Sequence, residues 1–267
     1  MARRVECRRQ DHASGAMGAV TLPVEDERLH EPALQSQLRF WTRFPSVPRS
    51  LWPIVAVCLV YAAAAFVIPT LAPVSISDDW TYVRSIEMLI EEGRFHVLPV
   101  AAASLVFQVF WGGLFAFLFG MSFGVLRVAS VVLTFLGGLA FFGLCRELGV
   151  SRERSALGTA AYLFNPVLFT VSYSFMSDPQ FLALLTISSY WYVRGLRPGS
   201  EGERATLMGA GFAALACLQR PHGALIPLGV ATFLLLSGRF KLDKPSIIGL
   251  IRVAGIPALT TIVYYAV

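Results

Sequence analysis

Three carboxylates and a few cations carry what chemistry this 267-residue chain can do. Asp78 and Asp79 stand side by side in Ser75-Ile76-Ser77-Asp78-Asp79-Trp80-Thr81-Tyr82, directly after a long apolar segment. Asp178 follows another such segment, in Met176-Ser177-Asp178-Pro179. Arg220 and His222 interrupt a third at Leu218-Gln219-Arg220-Pro221-His222-Gly223. A carboxylate at the water boundary of a hydrophobic protein can take a proton from an acceptor hydroxyl. An arginine can grip a phosphate through its forked donors, and an ionisable group within an apolar stretch is costly enough to need a use. Each feature also has a plainer reading. Ser77 is a good N-cap, which would make Asp78 and Asp79 ordinary first-turn residues. Asp before Pro is likewise a good helix start, and an arginine near a helix end can snorkel. The readings part on whether the helices bring these residues to one face.

Composition says what kind of helices those are. Hydrophobic residues make up 55% of the chain and charged ones 15%, against about 25% charged in soluble domains, and the mean hydropathy is +0.62. The expected fold class is all-α, a polytopic transmembrane bundle. The net charge of +5 is almost all arginine, Lys241 and Lys244 being the only lysines. In such a chain it is a topology signal first, and nucleic acid is not an expected partner. The four cysteines, Cys7, Cys58, Cys145 and Cys217, form no CxxC or Cys/His cluster, which points to inert packing. A divalent cation is compatible with the carboxylates, but the sequence offers no complete ligand set and no metal ligand is assigned.

Residues 1–46 mix arginines with scattered acids and lack apolar periodicity, so they read as a disordered cytoplasmic tail. The apolar stretch starts near 51, too far in for a cleavable signal peptide. Residues 47–267 then form the transmembrane domain. Leu51 to Leu71 is long enough to cross the hydrocarbon, and Arg39, Arg43 and Arg49 before it place its amino end in the cytoplasm. From Asp79 to Glu92, Trp80, Val83, Ile86, Leu89 and Ile90 recur at helical spacing against Arg84, Glu87 and Glu91, the pattern of a helix lying on the membrane surface.

Pro99 to Phe119 decides the topology. Later apolar segments run over 125–145, 156–176, 180–193, 205–219, 223–237 and 246–267. If 99–119 crosses, eleven cations fall outside and five inside; if it doubles back at the outer face, twelve fall inside and four outside. The positive-inside rule selects the second arrangement. The turn at Asp178 then shares the outer face with Asp78 and Asp79, in one expected cavity, and so does the break at 219–223. The arms 205–219 and 223–237 are each shorter than a span, and Pro221 removes a backbone donor between them. Asn165-Pro166 is expected to kink 156–176. Gly137-Gly138 and Gly209-x-Gly211 look like helix-packing surfaces.

The order of these features resembles that of the GT-C membrane glycosyltransferases, especially the protein O-mannosyltransferase and aminoarabinose-transferase-like group. The stretches that carry the likeness are Ser77-Asp78-Asp79-Trp80, Phe119-Gly120 with Leu126-Arg127, Met176-Ser177-Asp178-Pro179, and Leu218-Gln219-Arg220-Pro221. The resemblance implies a sugar moved outside the cytoplasm from a polyprenyl-phosphate-linked donor to a lipid, glycan or protein acceptor. It implies Asp78 as the catalytic base, Asp79 beside it and Asp178 as the second external carboxylate. Arg127, Arg220 and His222 would face the donor phosphate. The expected location is a cell membrane crossed several times, in the first instance a bacterial inner membrane. The chain ends within the apolar run Thr260 to Val267, so the amino-terminal portion of a longer protein is expected. Two other classes fit the same polar residues. A transporter or lipid flippase would carry inverted repeats and paired broken helices, and a non-catalytic membrane subunit would keep the fold alone.

Overall fold

The computed structural model describes residues 51–68, 75–76, 78–98, 104–197, 202–237 and 244–266. The chain divides into a unit Met1–Pro45 and a unit Ser46–Val267. The first lies outside the described residues, and with it the expected tail. Everything below concerns the second.

Among the described residues the second unit is helical throughout, with ten α-helices and one 3-10 turn. These are α1 (Trp52–Val67), α2 (Asp79–Glu91), α3 (Val106–Phe119), α4 (Phe123–Glu147), α5 (Arg152–Leu163), α6 (Pro166–Ser172), α7 (Ser177–Gly195), α8 (Gly202–Gln219), the turn Pro221–Ala224, α9 (Leu225–Leu236) and α10 (Lys244–Ala266). Two of them, α4 and the 246–264 part of α10, are long and apolar enough to cross a membrane. Local chemistry sets the helix starts. The Ser122 hydroxyl accepts from Val125 N–H at the head of α4, and the Ser151 hydroxyl from Arg154 N–H at the head of α5. Asn165 does the same for α6, taking Val167 N–H at 3.0 Å and Leu168 N–H at 3.2 Å, with Pro166 as first residue. The expected kink at Asn165-Pro166 is therefore a full break into two helices, because capping satisfies the donors that a continuous helix would have had to lose.

The bundle core is α4, α7 and α8, and small residues let them close up. A Cβ placed on Gly137 of α4 would sit 2.8 Å from the Ala183 Cα of α7. One placed on Gly209 of α8 would sit 2.9 Å from the Tyr192 ring. Gly137, Gly138 and Gly209 pack as the sequence suggests; Gly211 faces open space and does not.

Helix α3 settles how 99–119 behaves where it is described. Its 14 residues reach about 21 Å, short of the ~30 Å of a hydrocarbon core. Both of its ends lie where α4 and α7 begin. At its head, Leu105 N–H donates to Gln219 O at 3.3 Å and the Ser104 hydroxyl to Leu218 O at 3.0 Å. At its tail, Gly120 turns the chain at φ 88° and Ser122 caps α4. The middle of α3 lies so close to its neighbours that a Cβ on Gly112 would strike Ile86 of α2 and Phe175. Phe107 and Trp111 also pack against Leu133, Ala183 and Ile187, so the helix lies against α4 and α7.

Helix α2 packs beneath α3. Tyr82, Val83 and Ile86 are buried with Leu105, Val109, Ala116, Leu126 and Phe175. Trp80 and Ile90, on the apolar face of the helix expected at the membrane surface, are about half exposed. The buried residues are Asp79, Thr81, Tyr82, Val83, Ser85 and Ile86, three of them polar.

Candidate active site

Four helix termini meet at one end of the bundle: the starts of α2, α4 and α7 and the end of α8. Each brings charge. At the head of α2 the two neighbouring acids part company. Asp78 occupies the N-cap position and is exposed; Ser77, the expected cap, lies outside the described residues. Asp79 turns inward and is completely buried. Its Oδ1 accepts from Ile76 N–H at 2.8 Å, and its Oδ2 lies 3.6 Å from Arg127 Nη2 on the first turns of α4. Arg127 is equally buried and its guanidinium lies over the Phe123 ring. The cation offers no surface to solvent, and the carboxylate does not share an open cavity with Asp78. Those are two departures from the sequence reading. Their common reason is the apolar cluster around α2, which encloses the Asp79 carboxylate and the Arg127 guanidinium together.

That burial decides the protonation balance of Asp79. Desolvation pushes its carboxyl above the ordinary value of 3.8, although the Ile76 N–H, the Arg127 charge and the Phe175 backbone all pull it down. A buried ion pair whose desolvation outweighs its attraction is a familiar outcome.

The second group gathers around the head of α7. Arg220, in the link between α8 and the 3-10 turn, places Nη1 2.9 Å from Asp178 Oδ1 and donates from Nη2 to the Ser177 hydroxyl at 2.5 Å. Its guanidinium also lies 5.9 Å from the Phe181 ring centre. Unlike Arg127, it is part-exposed, at 29% of its side chain, and Asp178 is half exposed. Tyr82 joins this group from α2. Burial raises its hydroxyl above the ordinary value, against a hydrogen bond with Ser177 and the charge of Arg220, while the charges of Asp78 and Asp178 push the same way as burial. Asp78, Asp178, Arg220, Ser177 and Tyr82 thus form one neighbourhood. His222 stands exposed on the turn, one residue beyond Pro221.

Tyr82 and Ser177 were not singled out by sequence reasoning. Their flanking positions beside the acids in the two external motifs were the available signal. Also missed was a pair of buried amides behind Arg220. Gln219 donates to the Gln108 carbonyl at 3.1 Å and to Ser177 O at 3.3 Å, and Gln108 donates to Phe175 O at 2.8 Å. Among the described residues no three His, Cys, Asp or Glu side chains come together as a metal-binding group.

The far end of the bundle is basic. Glu147, closing α4, pairs with Arg197 after α7 at 2.8 Å, and Arg146, Arg152, Arg154 and Arg194 lie on the same helix termini. Carboxylates at one end and arginines at the other give the chain the polarity that charge counting demanded.

Comparison with known families matches residues 106–265 to the dolichyl-phosphate-mannose-protein mannosyltransferase family. The chain belongs to that family. It is therefore a membrane glycosyltransferase of the GT-C type, as its motif order implied. The matched region holds Arg127, Ser177, Asp178 and Arg220, while Asp78 and Asp79 lie ahead of it. No curated protein and no solved structure matches the chain.

Proposed function

We propose that this glycosyltransferase moves a sugar from a polyprenyl-phosphate-linked donor to a hydroxyl or amine acceptor on the extracytoplasmic side of the membrane. The observation that supports it most is the pairing of an exposed carboxylate, Asp78, with a part-exposed arginine, Arg220, around the same tyrosine. Transfer needs those two functions at once. The acceptor oxygen attacks the anomeric carbon and gives up its proton to Asp78. The bond from that carbon to the phosphate oxygen breaks, its electron pair goes to the phosphate, and Arg220 stabilises the charge that develops there. Asp178 fixes the Arg220 fork from behind, and His222, exposed on the next turn, adds a donor on the phosphate side. Asp79 and Arg127 hold the head of α2 and so aim Asp78. A divalent cation is not required by any of these steps.

The test is turnover in proteoliposomes with a labelled polyprenyl-phosphate sugar. Asp78→Asn should insert normally and lose about 100- to 10,000-fold in kcat, the usual contribution of a positioned base. Unchanged turnover by that variant would remove Asp78 from the mechanism.

A further inference from the structure

We propose that Gln108 and Gln219 are positioning residues that set where Arg220 presents its guanidinium, a step that rests on the phosphate role given to Arg220 above. Both amides are fully buried, where an unpaired polar group is expensive. An apolar pair of similar size would fill the same space at less risk. What the amides add is direction. Gln219 is the last residue of α8 and the chain neighbour of Arg220. Its side-chain amide bonds to Gln108 on α3 and to Ser177 O on α7, and Gln108 in turn bonds to Phe175 O just ahead of α7. Its own carbonyl is taken by Leu105 N–H, and that of Leu218 by the Ser104 hydroxyl. The carbonyls freed by the helix break are thereby tied to the head of α3.

Arg220 itself is extended, at φ −151° and ψ 143°. The chain thus leaves the helix between the two residues: Gln219 is held against Gln108 of α3 and Ser177 O, while Arg220 reaches the Ser177 hydroxyl and Asp178 at the head of α7. Ser177 is gripped from both directions, its carbonyl by Gln219 and its hydroxyl by Arg220. The arrangement does not maximise hydrogen bonding: Gln219 Oε1 and Arg220 Nε are buried without a hydrogen-bond partner. A buried network that leaves one acceptor and one donor unpaired yet fixes one side chain in place is characteristic of a functional site rather than a stability device. The two glutamines act only through Arg220 and touch no substrate.

The experiment titrates a C55 polyprenyl phosphate into the full-length protein in mixed micelles and follows donor kinetics in parallel. Gln219→Met and Gln108→Met should each weaken binding about tenfold, the cost of misplacing a preorganised group by a fraction of an ångström to an ångström. The donor KM should rise and kcat should fall as well, since Arg220 also stabilises the charge that develops on the phosphate. On an Arg220→Met background neither change should have any further effect, since coupled residues are not additive. A purely structural role predicts instead the same loss on both backgrounds, in step with a falling Tm. That result, or wild-type affinity in the glutamine variants, would overturn the inference. If Gln219→Met fails to insert, Gln108→Met decides alone, because it leaves α8 intact. Failure of the wild type to bind the phosphate, or wild-type binding by Arg220→Met, would strike the functional reading itself.

Discussion

Asp79 and Arg127 look like a simple salt bridge, and the electrostatics say otherwise. Burial raises the Asp79 carboxyl despite its partner, so the folded chain holds that proton more tightly than the unfolded chain does. The contribution to stability is then fully present below 3.8 and is lost as pH climbs through the raised value. Two opposite outcomes follow for the two partners. Asp79→Asn keeps the size and removes the cost of the buried charge, so its Tm at pH 7.5 should equal or exceed that of the wild type, and part of the pH slope should vanish. Arg127→Met leaves a bare carboxylate in the core and should lose on the order of 3 kcal/mol at pH 7.5. That deficit should narrow at pH 4.5, where the carboxylate can take up a proton. Thermal unfolding in detergent across this range measures both. A larger loss for Asp79→Asn than for Arg127→Met would mean that attraction, not desolvation, governs the pair.

Among the elements, glycine spacing separates packing from propensity. Gly137 faces the Ala183 backbone with no room for a methyl group, whereas Gly211 faces open space. Gly137→Val should therefore cost about 1–3 kcal/mol through forced separation of α4 and α7. Gly211→Ala should gain up to about 1 kcal/mol from helix propensity alone. Unfolding in mixed micelles compares the two directly. Within Gly209-x-Gly211 nothing in the sequence tells the two glycines apart; only the rotation of α8 against α7 does. The same limit explains other differences between reading and structure. The break at 219–223 was legible because Pro221 and the arm lengths are local facts. The burial of Asp79 was not, because it depends on Arg127 of α4 and the Phe175 backbone closing on the head of α2, contacts between segments far apart in sequence. Gln108 carried a visible signal, a polar residue inside an apolar run, but its partner Gln219 could be matched to it only after the break was placed beside α3.

For the molecule as a whole, the charge count and the bundle agree on a single polarity, acidic where α3 lies and basic where Glu147 meets Arg197. Sidedness can be read directly. With the four native cysteines replaced, Asp178→Cys should react with impermeant maleimide added outside intact cells. Arg154→Cys, exposed at the opposite end of the bundle, should react only after the membrane is opened. Labelling in the reverse order would invert the topology and place the acids in the cytoplasm. One dimension of the bundle bears on how a substrate reaches them. Helix α4 has 25 residues and α9 only 12, or about 37 Å against about 18 Å. A helix that short falls below the ~30 Å of a hydrocarbon core, so where it lies across the bilayer the lipid beside it must thin to match. On the proposed function, the headgroup of a lipid-linked donor would then enter sideways from its own leaflet. Turnover in vesicles of graded acyl-chain length should accordingly decline as the tails lengthen and the thinning becomes harder to sustain.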